Sequence, residues 1–210
     1  MRLFLRQKSV RGGVLYLTNN RNALGLYDWL RKKCPVSLYS GRLQLCQLKK
    51  LQPELVVSYN YSYLIKEEMI KYMKGNIVNL HISYLPWNRG VSPNLWSFID
   101  NTPKGVTIHQ VSAEFDKGKI LYQKQCFFDP ETETFETAYQ KLNQAVTALF
   151  MEKWEEIHSR RYILFEQEGA GSSHTKKDLE TFQAQTGICW EENIARFLRR
   201  YQKMKETGRE

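Results

Sequence analysis

The stretch Asn79 to Trp96, NLHISYLPWNRGVSPNLW, decides how the chain reads. The residues just before it, Gly75 to Leu80 (GNIVNL), alternate and are rich in β-branched side chains, which predicts a strand. Asn79 and His81 close that strand two residues apart, and strand side chains repeat every two residues, so the pair shares a face. A strand interior seldom carries an amide and an imidazole together. In an open α/β sheet, however, ligands bind beyond the carboxyl ends of the strands, where such a pair would stand at the mouth of a cleft. Leu85-Pro86 and Arg89-Gly90 then break the chain before a helix.

On the N-terminal side strands and helices alternate. GGVLYLTNN reads as a strand and turn, and RNALGLYDWLRKKC as a helix with Ala23, Leu26 or Tyr27, and Leu30 on one face. Pro35 stops that helix before the short strand VSLYS. LQLCQLKKL predicts a short helix, ELVVSYNY a third strand, and IKEEMIKYMKG a helix of about three turns closed by Gly75. This order predicts an α/β, Rossmann-like fold: a mainly parallel sheet flanked by helices. After Pro103 the pattern changes to strand, turn, strand (KGVTIHQV, SAEFDKGK, ILYQKQCFF), a β-hairpin extension. The strongest helix follows, TFETAYQKLNQAVTALFMEKWEEIHSR, with Phe135, Ala138, Leu142, Ala145 and Leu149 at helical spacing. QEGAGSSHTKKD reads as a Gly/Ser-rich loop. The chain from Trp190 on has helical spacing and a basic face, compatible with a homodimer helix and equally with packing on its own domain. The expected organisation is an α/β catalytic domain over 1–160, with a loop and helical extension over 161–210 packed on it.

Composition bounds the partners. Hydrophobic residues make up 42% and charged residues 25% of 210, as in soluble globular chains. No apolar run approaches the roughly 20 residues of a membrane span, and Arg2 and Arg6 interrupt the N-terminal apolar patch, so neither a membrane partner nor a signal peptide is expected. Cys34, Cys46, Cys126 and Cys189 are far apart and form no C-x-x-C pair, which predicts reduced thiols, a cytoplasmic location and no zinc or disulfide. The net charge of +9 suits an anionic partner or simply a solvated basic surface. The positive residues are scattered (Arg31-Lys32-Lys33, Lys49-Lys50, Lys176-Lys177, Arg199-Arg200), without the block of a nucleic-acid tail, so nucleic acid is not the expected partner.

Asn79, His81 and Asp116 carry the chemistry. Asp116 lies in the hairpin turn EFDKG; if that turn lies beside the Asn/His strand end, the three converge. A carboxylate orients an imidazole and raises its basicity. An adjacent amide N–H stabilises a developing oxyanion. Together they suit acyl-type transfer, with a general base for an attacking amine. No serine or cysteine is placed as a nucleophile, which favours direct transfer between two bound substrates. On spacing alone a structural Asn-x-His pair remains open.

NLHISYLPWNRG followed by KGVTIHQVSAEFDKGKIL resembles the signature of the 10-formyltetrahydrofolate-dependent formyltransferases: Asn-x-His, Ser, Leu-Pro, Arg-Gly, Gly-x-Thr-x-His and Asp-x-Gly. The pattern falls on Asn79, His81, Ser83, Leu85-Pro86, Arg89-Gly90, Gly105, Thr107, His109, Asp116 and Gly118. Ile82 stands where the family usually has proline. LTNNRN replaces the Gly/Ser-rich turn that holds phosphate in the glycinamide ribonucleotide enzymes, and no C-terminal domain like that of the methionyl-tRNA enzymes is expected. The likeness is closest to the nucleotide-sugar N-formyltransferases of surface polysaccharide synthesis.

That resemblance implies the formyltransferase fold, 10-formyltetrahydrofolate as formyl donor, no metal, and a nucleotide-linked (dTDP or UDP) deoxy amino sugar as acceptor. His81 would move the proton, Asn79 would bind the oxyanion and Asp116 would orient His81. Folate would lie against Ser62, Tyr63, Leu64 and Ile65, with Ala113, Glu114 and Phe115 reading the pterin edge. Arg89, Asn94, Trp96 and His174 are the candidates for holding the sugar nucleotide. His109 reads as a structural histidine of the neighbouring strand. Formylation of another small amine such as glycinamide ribonucleotide, and a non-catalytic folate- or nucleotide-binding module, are the alternatives.

Overall fold

The computed structural model describes residues 11–208. Its frame is a six-stranded sheet. The strands are β1 (Val14–Leu17), β2 (Val36–Tyr39), β3 (Leu55–Tyr59), β4 (Ile77–His81), β6 (Gly105–Gln110) and β7 (Ile120–Gln125), and their spatial order is β2-β1-β3-β4-β6-β7. The other strands, β5 (Arg89–Gly90) and β8 (Ser173–His174), form a separate parallel pair.

β1 to β4 run parallel, with Val14 beside Val36 and Leu55, and Ser58 beside Asn79. Their connections are α1 (Leu24–Leu30), α2 (Leu45–Leu51) and α3 (Glu67–Tyr72). All four residues of β1 are fully buried, as expected of a strand covered on both faces. Leu15, Leu17, Val56 and Ile77 pack with Leu48, Met69 and Met73 on one face. Tyr16 meets Tyr27 of α1 on the other, ring centroids 6.0 Å apart. Ala23, Leu26, Tyr27 and Leu30 are the buried face predicted for the first helix.

The hairpin also forms. The N–H of Val111 donates to Ile77 O at 2.9 Å, so the end of β6 lies beside the start of β4 and the two strands are antiparallel. Gln110 N–H to Lys119 O and Cys126 N–H to Lys104 O, at 2.8 and 2.9 Å, set β7 antiparallel to β6 in turn.

Four local expectations need correction. α3 has six residues rather than three turns; after Met73 the backbone turns left-handed at Lys74 and Gly75. The long helix α5 (Phe135–Glu152) buries Val146 where Ala145 was expected, because at 3.6 residues per turn the stripe 135, 138, 142 continues to 146 and 149. It ends before Lys153, and α6 (Trp154–His158) is separate. The stretch read as a loop contains β8 and the start of α7 (Lys176–Thr186), whose Thr175 and Asp178 form a reciprocal capping box.

Residues 194–206 form α8 (Ile194–Glu206). Among the described residues no helix is long and apolar enough to cross a membrane.

The chain forms two compact units, neither of them one continuous stretch. The first holds the described residues up to His81, with Ile108–Tyr122 and Phe150–Glu166. The second holds Ile82–Thr107, Gln123–Leu149 and the described residues from Gln167 on. Its core gathers Leu95, Trp96 and Phe98 of α4 (Pro93–Ile99), Phe135 and Ala138 of α5, Phe182 of α7, and Ile194 and Phe197 of α8.

Gly25 sits inside α1, and a Cβ built there has nothing within 4 Å. Gly25→Ala is therefore expected to stabilise the protein by about 0.5–1 kcal/mol, since alanine removes glycine's entropic cost in a helix. Urea unfolding measures this; a loss of stability would show that the helix is packed more tightly than described.

Candidate active site

The first unit assembles the polar cluster. The register of β4 against β6 sets Asn79 opposite His109, and the Asn79 Nδ2 lies 3.1 Å from His109 Nε2. His109 Nδ1 lies 2.7 Å from the carbonyl of Gln110. A ring that donates from Nδ1 to this carbonyl offers the Nε2 lone pair to the Asn79 amide, which fixes both groups.

Asp116 reaches the same place from the turn after β6. Its backbone is left-handed, with φ of 52°. Two residues on, Gly118 lies so close to β6 that a Cβ would stand 1.7 Å from the Gln110 carbonyl oxygen. No side chain fits, so the sequence Asp-x-Gly folds back onto the strand only because residue 118 has none. The Asp116 side chain is then 13% exposed. Its Oδ1 lies 3.4 Å from both Asn79 Nδ2 and His109 Nε2, and its Oδ2 lies 3.7 Å from His81 Nδ1. The last distance is too long for a hydrogen bond and is a charge contact that strengthens when His81 takes a proton. Opposite unit charges about 4 Å apart attract by about 4 kcal/mol at an effective dielectric of 20. The His81 and His109 rings meet edge to face, centroids 6.1 Å apart.

A cleft opens over this cluster. Asn79, His109 and Asp116 lie at its base, and Tyr63, Leu64, Ile65, Glu114 and Phe115 are on its walls with Ser58, Tyr61, Val111 and Ser112. Leu64 and Phe115 are 47% and 66% exposed, large apolar side chains left facing solvent at the rim. Ile65 is buried among the core residues under the cleft. Ser62 and Ala113 adjoin the wall residues in sequence.

Burial pushes the Tyr61 phenol up to about 12, so it stays neutral; its O–H donates to Gly41 O at 2.6 Å. Among the described residues no group of three or more His, Cys, Asp or Glu side chains is arranged to hold a metal ion.

Two residues of this region were missed by pattern reading. His109, read as a structural histidine of the neighbouring strand, contacts both Asn79 and Asp116. Asn19, in the turn after β1, accepts from both the backbone N–H and the hydroxyl of Ser62 at 2.9 Å, and so holds the start of the Ser62–Ile65 segment. The signal for His109 was its alternation with Thr107 in GVTIHQ, on the strand that faces Asn79. Nothing local marked Asn19.

The remaining candidates lie in the second unit. Arg89 donates from Nε and Nη2 to Gln167 Oε1 at 3.0 and 2.8 Å, and from Nη1 to Ala170 O at 3.2 Å. Asn94 is buried, with its amide donating to Phe135 O at 2.8 Å. Trp96 is buried and stacks on His174 with centroids 4.1 Å apart and planes 6° from parallel. His174 Nε2 lies 3.0 Å from Asp100 Oδ2. Asn94 and Trp96 thus spend their side chains inside the unit, while Arg89 and His174 keep partial exposure.

A polar base under an apolar rim, at the strand ends of a mostly parallel sheet, defines a group-transfer site of the α/β type. Residues 32–153 match the Formyl transferase family, and the chain belongs to it. The formyltransferase PseJ from Anoxybacillus kamchatkensis, solved in complex with UDP-4,6-dideoxy-4-formamido-L-AltNAc and tetrahydrofolate, is 34% identical. The match covers 89% of this chain and 97% of that one, with a TM-score of 0.81. The dTDP-4-amino-4,6-dideoxyglucose formyltransferase of Mycobacterium bovis is 28% identical over 178 residues, 80% of this chain and 76% of that protein. The bifunctional polymyxin resistance protein ArnA of Wigglesworthia glossinidia brevipalpis is 36% identical over 96 residues; the match spans 45% of this chain and only 14% of ArnA. The family and fold expected from the motif are those found.

Gly118→Ala is expected to cost about 2 kcal/mol or more, the range for overpacking against a fixed backbone, and to separate Asp116 from His81. Urea unfolding reads the first effect and an NMR titration of the His81 ring the second. Unchanged stability together with an unchanged titration would show that the turn tolerates a side chain.

Proposed function

We propose that this protein transfers a formyl group from 10-formyltetrahydrofolate to the primary amine of a nucleotide-linked deoxy amino sugar, in the cytoplasm, for surface polysaccharide synthesis. The observation that carries the reading is the contact of His81 and Asn79 with the carboxylate of Asp116, at 3.7 and 3.4 Å, at the base of an apolar-rimmed cleft in a formyltransferase chain. The names of the two relatives matched over most of their length both place the nitrogen on C4 of a 4,6-dideoxy hexose. A 4-amino-4,6-dideoxy sugar carried on UDP or dTDP is therefore the acceptor we infer.

The cleft suits a folate. A flat heteroaromatic ring wants apolar walls and a few polar groups at one end, and Tyr63, Leu64 and Phe115 stand exposed above Asn79, His109 and Asp116. When bound, this donor supplies an activated formyl group. Ser62 to Ile65 and Ala113 to Phe115 are the segments we assign to holding it.

An ammonium has no lone pair, so the acceptor amine must lose a proton to react. His81 takes that proton at Nε2, the nitrogen turned from Asp116, the carboxylate stabilises the imidazolium that results, and the imidazolium then gives the proton to the donor nitrogen as its bond to the formyl carbon breaks. Asn79 turns an N–H to the charge developing on the formyl oxygen, releasing its longer contact to Asp116. His109 keeps the amide of Asn79 aligned while this happens. No covalent enzyme intermediate is needed, because holding both substrates in one orientation supplies several kcal/mol of the barrier by itself. We assign Arg89 and His174 to the sugar nucleotide, with Asn94 and Trp96 supporting them from within the second unit.

Incubation with 10-formyltetrahydrofolate and a panel of UDP- and dTDP-linked amino sugars, with glycinamide ribonucleotide as control, tests the reading by mass spectrometry. A 4-amino-4,6-dideoxy sugar should gain one formyl group. No turnover on any sugar, or turnover on the control alone, overturns it. In the same assay His81→Ala should lose about 10²–10⁴-fold in kcat, the usual share of a general base, while tetrahydrofolate affinity stays within about twofold. An active His81→Ala enzyme would remove the base from the mechanism.

A further inference from the structure

We propose that residues 162–166 (YILFE) are the edge through which two copies of this chain associate, as antiparallel strands related by a twofold axis at Leu164. β7 is the last strand of the sheet, and Phe165 extends it. The N–H of Ile120 donates to Phe165 O at 2.8 Å and the N–H of Phe165 to Ile120 O at 2.9 Å, a reciprocal antiparallel pair. In such a ladder the residues on either side of a bonded pair turn their N–H and C=O the other way. Leu164 and Glu166, on either side of Phe165, therefore aim main-chain donors and acceptors away from β7. Among the described residues no hydrogen bond uses the backbone of Leu164.

The side chains make this edge sticky. Ile163 and Phe165 share a face and are 72% and 57% exposed. Folded proteins usually blunt a free edge with lysine, proline or a bulge, because an open apolar edge pairs with other chains. Here the edge reads Tyr-Ile-Leu-Phe, with neither proline nor charge before Glu166.

A second copy fits because the segment is complementary to itself when reversed. With Leu164 on the axis, its outward N–H and C=O meet those of the other Leu164, and Tyr162 meets Glu166. Ile163 then lies opposite Phe165 of the second copy, at a non-hydrogen-bonded position where side chains come closest and aromatic and β-branched pairs interact best. The flanks agree in charge. Arg160-Arg161 precede the segment, and Glu166 and Glu168 close it. Reversal brings the basic end of one copy to the acidic end of the other, whereas a parallel pairing would set like against like.

Sedimentation velocity of the full chain, from about 1 to 100 µM, provides the test, a range that reads association free energies of about 5 to 8 kcal/mol. The native chain should show a monomer–dimer equilibrium. Ile163→Glu with Phe165→Glu sets two pairs of like charges across the axis, and its dissociation constant should rise at least tenfold. Ile163→Glu with Phe165→Lys sets opposite charges at the same two places, and should dimerise more tightly than the double glutamate variant. Both double variants carry charges at exposed positions, so circular dichroism should show them folded alike. In a Leu164→Cys variant, mild oxidation should give a dimer whose peptide map contains the 164–164 disulfide, because bonded antiparallel pairs hold Cα atoms about 5.5 Å apart. A monomeric native chain at 100 µM, or a dimer unmoved by the double glutamate variant, overturns the proposal.

Discussion

The site depends on how closely the turn after β6 can return to the strand it has just left. Gly118 lies on the Gln110 carbonyl at a distance no Cβ permits. Two residues earlier Asp116 sits in the left-handed region, which costs a non-glycine residue of order 1–3 kcal/mol and persists only where neighbours fix it. The outcome is a carboxylate drawn in from solvent. A carboxylate that is nearly buried must be met by donors or by positive charge. Asn79, His109 and His81 surround it, so the three are parts of one balance rather than separate catalytic options. Removing the charge at 116 would leave an amide and two imidazoles with different preferred partners; removing Asn79 would take a donor from the carboxylate, removing His81 its charge contact, and removing His109 the group that aligns the amide.

The sheet supplies those neighbours through its one change of direction. β1 to β4 are parallel, and their carboxyl ends form one rim. β6 enters against β4, so residues near the end of β6 lie beside the first half of β4, with Val111 beside Ile77 and His109 beside Asn79. Had β6 continued parallel by a crossover, His109 would have stood at another level and the Asn79 amide would have lacked its lock. A hairpin appended to a parallel sheet thus brings a second imidazole to the cluster, and the same hairpin carries Asp116 in its turn.

Much of this was readable before any coordinates. Alternation and helical spacing located the six main strands and α1, because those elements are set by which faces meet the core. The strand end at Asn79 and His81 stood out because polar pairs are costly there. What pattern reading missed depends on pairings between distant residues. Ser173-His174 form a strand only because Arg89-Gly90 lie alongside them, and a two-residue strand has no period to detect. Ala145 and Val146 differ by one position on a helix, and only packing decides between them. Asn94 and Trp96 were candidates alongside the family resemblance; in the structure both are buried, with partners of their own in Phe135 O and the His174 ring. His109 was underrated because a histidine in a neighbouring strand is ordinarily satisfied locally. It is satisfied here as well, by Gln110 O, and that bond is what turns its other nitrogen to Asn79.

Glycine composition invites the opposite error. QEGAGSS reads as a Gly/Ser-rich loop, and in the structure the segment is tied down. Gly171 lies so near Pro86 that a Cβ would stand 2.1 Å from the Pro86 carbonyl oxygen. The N–H of Ser172 donates to that carbonyl at 3.2 Å, the N–H of Arg89 donates to Ser172 O at 2.9 Å, and the Arg89 guanidinium holds Gln167 and the Ala170 carbonyl. The absent side chain serves contact here, as it does at Gly118. In both places a turn must press its backbone on a strand or its extension, and only glycine leaves room. The two segments that look most mobile in the sequence, EFDKG and EGAGSS, are therefore those whose backbones approach another part of their own unit most closely. An arginine whose donors are spent on such a segment is also pre-ordered. It holds its guanidinium in place without a ligand, so an anion that meets it need not bear the entropy of freezing a long side chain.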